Sequence, residues 1–256
     1  MSDVGGEAWV IATLQWGTLI ICSLALLLRV PDAIRGRNRT VFGILLLATL
    51  CGLLSASGPY EAVDAALGGW NLTHLIMRFL VFAAVLLIGL RLAKGLADTR
   101  SYRLIAGPAG RWALAVSAAA VAVTFFLMDT RGSSAGLLDI ADNGGHTAAL
   151  APFYAAAGRT YPAYVSLALL PALLATTRSQ LPRLVRAGAI ATSLGALATT
   201  TSVPASFAPQ GWILAQQTVN NLAVVGYVLG LCLFWISGRV AKESGNARAT
   251  FRKNQE

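Results

Sequence analysis

Residues 72–90 read LTHLIMRFLVFAAVLLIGL, with His74 and Arg78 as the only ionisable side chains among them. A helix crossing a bilayer needs about 20 mostly apolar residues. This stretch therefore reads as a membrane span, and it decides the fold class. Six further stretches have the same character, at approximately residues 8–28, 41–57, 112–128, 160–177, 187–203 and 212–236. The expected fold is all-α, a seven-helix transmembrane bundle over residues 1–238 with a basic tail at 239–256. The sixth span, AGAIATSLGALATTTSV, is rich in Ala, Gly and Thr rather than Leu. Small residues let helix backbones approach closely, so this span is expected to be buried among the others.

Composition agrees. Of 256 residues, 56% are hydrophobic and 12% charged, whereas a soluble domain carries about 25% charged residues. That excludes a soluble enzyme, and a chain this apolar cannot stay disordered in water. The net charge of +9 is expected to encode topology rather than an affinity for nucleic acid.

Seventeen of the 20 Lys and Arg fall after the first, third, fifth and seventh spans. Asp3, Glu7, Glu61, Asp64, Asp129, Asp139 and Asp142 fall on the opposite loops. By the positive-inside rule, the N-terminus lies outside and the C-terminus inside a plasma (inner) membrane. The acidic opening MSDVGGEAWV is not a signal peptide, so the first span is expected to be retained. Residues 129–152 then form the longest outer segment, a lid or a plain connector.

The span ends are compatible with a parallel 3+1+3 repeat, and equally with the Trp and Arg/Lys anchors common at membrane interfaces. The third span leaves as Arg91-Leu92-Ala93-Lys94 and the seventh as Arg239-Val240-Ala241-Lys242. The second and sixth are followed by loops closing on Gly69-Trp70 and Gly211-Trp212.

An ionisable residue inside a span is costly and marks a functional site by default. His74 and Arg78 stand four apart, on one helix face, with Asn71 three residues earlier. At matching depth the seventh span carries Gln217 and Asn220, and Arg159 stands at the mouth of the fifth. These six residues are the candidate ligand-binding set. They are expected to line a cationic chamber open to the outside. Guanidinium and amide donors suit a carboxylate or phosphate.

Several chemistries are absent from the pattern. No Asp or Glu lies within a predicted span, which disfavours coupling through an intramembrane carboxylate. All three lysines (Lys94, Lys242, Lys253) lie at inner loops, so no Schiff base can form in the seventh helix. His74 and His146 lack metal-site spacing, and neither a GxSxG elbow nor a phosphate loop is present. Cys22, Cys51 and Cys232 sit in apolar runs and read as small hydrophobes. No catalytic residue, metal or cofactor is expected.

With NLTHLIMRF and the RVPDAIRGRNR loop, the chain resembles uncharacterised seven-helix integral membrane proteins of actinobacteria. Some of those are thought to accompany small regulatory proteins. The resemblance implies a bacterial plasma membrane and no particular activity. The 3+1+3 layout also looks like that of sugar facilitators, although Pro209-Gln210, the one Pro-Gln pair, lies in a loop and not in a helix. The expected function is binding of an anionic small molecule or lipid head group from outside, by a sensor or membrane partner subunit without enzymatic activity. The alternative is a facilitator for a small solute. Expected partners are membrane lipids and a protein at the cytoplasmic face.

Overall fold

The computed structural model of the chain describes residues 4–36, 39–130, 145–209 and 212–253. Those residues form ten helices: α1 (Val4–Leu27), α2 (Val30–Ile34), α3 (Arg39–Leu54), α4 (Ser57–Ala66), α5 (Leu72–Gly95), α6 (Thr99–Ala106), α7 (Pro108–Leu127), α8 (Gly145–Thr177), α9 (Arg183–Ala205) and α10 (Ile213–Lys253). The chain is an all-α membrane protein. Helices α5, α7, α8 and residues 213–241 of α10 are each long and apolar enough to cross a bilayer. A fifth crossing exists if α3 and α4, bent by 91°, count as one. Among the described residues, α1 adds the apolar helical stretch Ala12–Leu27.

Side-chain contacts fix the relative directions of the long helices. Thr18 of α1 bonds Asn221 of α10, and Arg29, just past α1, lies over Trp235. Both numbers rise together, so α1 and α10 run parallel. By the same reasoning His74 with Tyr154 and Phe82 with Tyr161 make α5 and α8 parallel. Arg159 with Ser206 and Thr177 with Arg186 set α9 antiparallel to α8, and Phe125 with Tyr154 and Asp129 with Thr147 do so for α7. Neighbours run α1–α3–α5–α8–α9–α10 and back to α1, with α7 packed outside against α8 and α5.

The sixth predicted span became the packing hub rather than an apolar rod. Helix α9 packs most extensively, against α8 and α10. A Cβ on Gly226 would stand 2.7 Å from the Gly195 Cα and 2.8 Å from the Ala191 carbonyl oxygen. Only glycine permits that approach. The adjacent apolar core holds Ile44, Ile88, Leu92, Leu169, Leu173 and Leu231 together.

Four expectations are corrected here. The fifth helix begins at Gly145, well before residue 160, and continues through Pro152, Pro162 and Pro171. Arg159 is thus inside a 33-residue helix, not at its mouth. The expected connector at 129–152 is helical from Gly145, while Arg131, Asp139 and Asp142 lie outside the described residues. Residues 57–66, expected in a loop, form α4. Residues 239–253, the greater part of the expected basic tail, continue the α10 helix.

Candidate functional site

The site grows from the start of α5. Gly68 and Gly69 take positive φ and turn the chain back after α4. Asn71, at φ 55°, precedes the first helical turn, a conformation Asn tolerates better than most side chains. The first amides of a helix lack intrahelical acceptors and favour negative charge. Asp64 meets that need: its carboxylate accepts from the N–H of Asn71 at 3.0 Å and of Thr73 at 3.2 Å. Tyr60 donates its hydroxyl to the Asn71 side-chain oxygen at 2.5 Å, and the Asn71 amide donates to the Thr130 carbonyl at 2.9 Å. Asn71 is therefore fully buried as a strut between α4, α5 and the end of α7.

Asp64 lies outside every predicted span and is nevertheless a buried carboxylate. It is 0% exposed on α4, in a segment the sequence reading assigned to a loop. Its acceptor capacity serves the backbone of α5.

One turn further on, His74 Nδ1 lies 2.9 Å from the Tyr154 hydroxyl. The Arg78 guanidinium stands over the Tyr154 ring, 5.6 Å from its centroid. Gly158 makes this path possible. A Cβ there would lie 2.8 Å from both Cδ and Nε of Arg78, so α8 offers a bare backbone along which the arginine stem runs. Arg159, on the next residue, is within electrostatic range of Arg78. Its Nη1 donates to the Ser206 hydroxyl at 2.5 Å and the Ser202 carbonyl at 3.3 Å.

No carboxylate among the described residues forms an ion pair with Arg78 or Arg159; the pair found there joins Arg239 to Asp32. The Arg78 Nε is buried without an acceptor. The Tyr161 hydroxyl, on the same α8 and packed against Phe82, is likewise buried and unpartnered.

The structure thus gathers Asn71, His74, Arg78 and Arg159 where α5 meets α8. Gln217 and Asn220 are placed elsewhere. They are half-buried on α10, whose polar contacts at this level run toward α1: Asn221 donates to the Gln217 carbonyl and its Oδ1 accepts from Thr18. Nor do the hydroxyls of Thr199, Thr200, Thr201 and Ser202 face a chamber. Each donates to a carbonyl three or four residues back in α9, the usual way a helix absorbs such groups.

Cavities of about 340 Å³ and 300 Å³ lie beside Trp212 and Tyr102 respectively, and neither is lined by Arg78. Sequence reasoning missed Tyr154, Gly158, Tyr60 and Asp64. A Gly next to an Arg in an otherwise Ala-rich helix was the one signal available for Gly158. Among the described residues no cluster of His, Cys, Asp and Glu could hold a metal. No protein-family model, curated protein or solved structure matches this chain.

Proposed function

We propose that this chain is a seven-span plasma-membrane protein, N-terminus outside, that binds an anionic small molecule or lipid head group at Arg78 and Arg159. It acts as a sensor or partner subunit rather than as an enzyme. One observation carries the reading. The Arg78 guanidinium at the α5–α8 junction and the Arg159 guanidinium, which reaches from α8 to the end of α9, are within electrostatic range of each other; no carboxylate among the described residues is paired with either, and the buried Arg78 Nε has no acceptor. Burying unpaired positive charge is expensive, and an anion seated between the two arginines relieves that cost. The alternation of helix directions and the segregation of basic residues support the orientation.

The facilitator alternative draws on the closed circuit of six helices, with α7 outside it as a connector between two triads. It needs a polar route through the basic half, where Ile44, Leu92, Leu173 and Leu231 are buried in the core.

The test is thermal melting of the purified chain in zwitterionic detergent with soluble carboxylates and phosphates, carried out in an Arg29→Gln background so that no second cationic site contributes. An anion that raises the melting temperature in that background is expected to lose that effect when Arg78→Leu is added, while insertion into membranes is unchanged. An equal response in the variant defeats the assignment. Uptake of solute into proteoliposomes would instead favour the facilitator.

A further inference from the structure

A second cationic site stands at the opposite end of the bundle, where α1 and α10 end their contact. Arg29, just past α1, is only 3% exposed. Its guanidinium carbon lies 4.2 Å from the centroid of the Trp235 ring, and that of Arg239 lies at the same distance from the same ring. Asp32 is the nearby acid, and its oxygens are committed. Arg239 Nη2 donates to both at 2.8 Å, and the Trp235 indole N–H donates to Oδ2 at 3.2 Å. Asp32 is within electrostatic range of Arg29 but makes no ion pair with it, and Arg91 adds a further positive charge within range. Among the described residues, Arg29 has a π face and no hydrogen-bond acceptor.

We propose that Arg29, steadied on Trp235 beside Arg239, is a phosphate-binding site that takes the phosphodiester of an anionic phospholipid. Among the described residues, Arg29 and Arg239 face one carboxylate, Asp32, which is already engaged, and this leaves an excess of positive charge. The planar fork of arginine matches phosphate oxygens in a bidentate manner. Basic pockets between helices at the cytoplasmic face recognise lipid head groups by the same chemistry. Burial lowers the Arg29 pKa only to about 10, so the group is charged at neutral pH. The location suits a lipid, since the neighbouring surface of α10 at Ile236 and Val240 is exposed and apolar. This site does not depend on the one at Arg78.

The experiment uses the full chain in zwitterionic detergent. Phosphatidylglycerol, phosphatidylcholine and inorganic phosphate are added separately, and binding is read by native mass spectrometry and melting temperature. Phosphatidylglycerol is expected to bind and stabilise, with roughly tenfold weaker binding in Arg29→Gln, the loss of about one charge-assisted hydrogen bond. Arg35→Gln removes the same charge from an exposed neighbour and is expected to leave binding unchanged. The loss caused by Arg29→Gln should be equally large in an Arg78→Leu background, which separates this site from the other. Phosphatidylglycerol acting where phosphate does not assigns the ligand to lipid; the reverse assigns it to a soluble anion on the same residues. Equal binding of phosphatidylglycerol to wild type and Arg29→Gln overturns the proposal. If Arg29→Gln does not fold, equal binding of phosphatidylglycerol and phosphatidylcholine to the wild type overturns it instead.

Discussion

Replacing Gly226 with alanine should loosen the α9–α10 interface, because the atoms its new methyl group would meet are backbone. The new Cβ would meet the Gly195 Cα at 2.7 Å, where ordinary contact begins at 3.4 Å, so the helices must part by about 0.7 Å. A gap of that size forfeits a quarter to a half of the dispersion attraction for the atoms it separates. Overpacking costs about 1–3 kcal/mol. The upper end applies because the obstructing atoms are backbone and cannot rotate away. Alanine returns about 1 kcal/mol through its better helix propensity. The net loss is about 2 kcal/mol, or roughly 4–8 °C in melting temperature for a chain of this size.

The assay is thermal unfolding in detergent, followed by helical circular dichroism. Gly43→Ala is the control, because a Cβ on Gly43 in α3 meets nothing within 4 Å. It keeps the propensity gain without the clash, so it should melt slightly above the wild type. If Gly226→Ala melts as high as Gly43→Ala, the glycine contact is not what holds α9 against α10.

Three further outcomes follow from other parts of the molecule. Gly158→Ala should displace the Arg78 stem and abolish anion-induced stabilisation without removing any charge, as ligand titration of the melting temperature would reveal. Tyr154→Phe leaves the buried His74 Nδ1 without its partner and should lower stability by about 1 kcal/mol, read from the same melts. Asp32 governs the acid limit. The hydrogen bond from Arg239 holds its carboxyl below the ordinary carboxylate range. Its folded value is depressed, so its contribution is complete above about pH 4, the unfolded value, and is lost as pH falls through the folded one. Because the Arg239 side chain is 50% exposed, the contribution is only about 1 kcal/mol. Asp32→Asn should show that loss already at neutral pH and a flatter acid limb.

Residue type alone made the membrane character and the all-helical fold legible. A run such as LTHLIMRFLVFAAVLLIGL can satisfy its backbone in lipid only by coiling on itself, whatever its neighbours do. The same logic picked out His74 and Arg78, because a charge in such a run is conspicuous in one dimension. Helix α4 was not legible: residues 57–66 carry Glu61 and Asp64 and look like a loop, whereas in the structure the Asp64 carboxylate ties this helix to the amides that open α5. The early start of α8 was hidden by its prolines.

Which polar residues share a site was decided by the tertiary structure alone. Depth along a helix can be read from position, but facing cannot. Arg78 and Gln217 lie at similar depths from their helix starts, yet one rests on Gly158 of α8 and the other belongs to a helix whose polar contacts turn to α1. Rotation about the helix axis is set by packing, here by the glycines that lock α9 to α10 and by the bare backbone at Gly158, and no single strand of sequence carries that information.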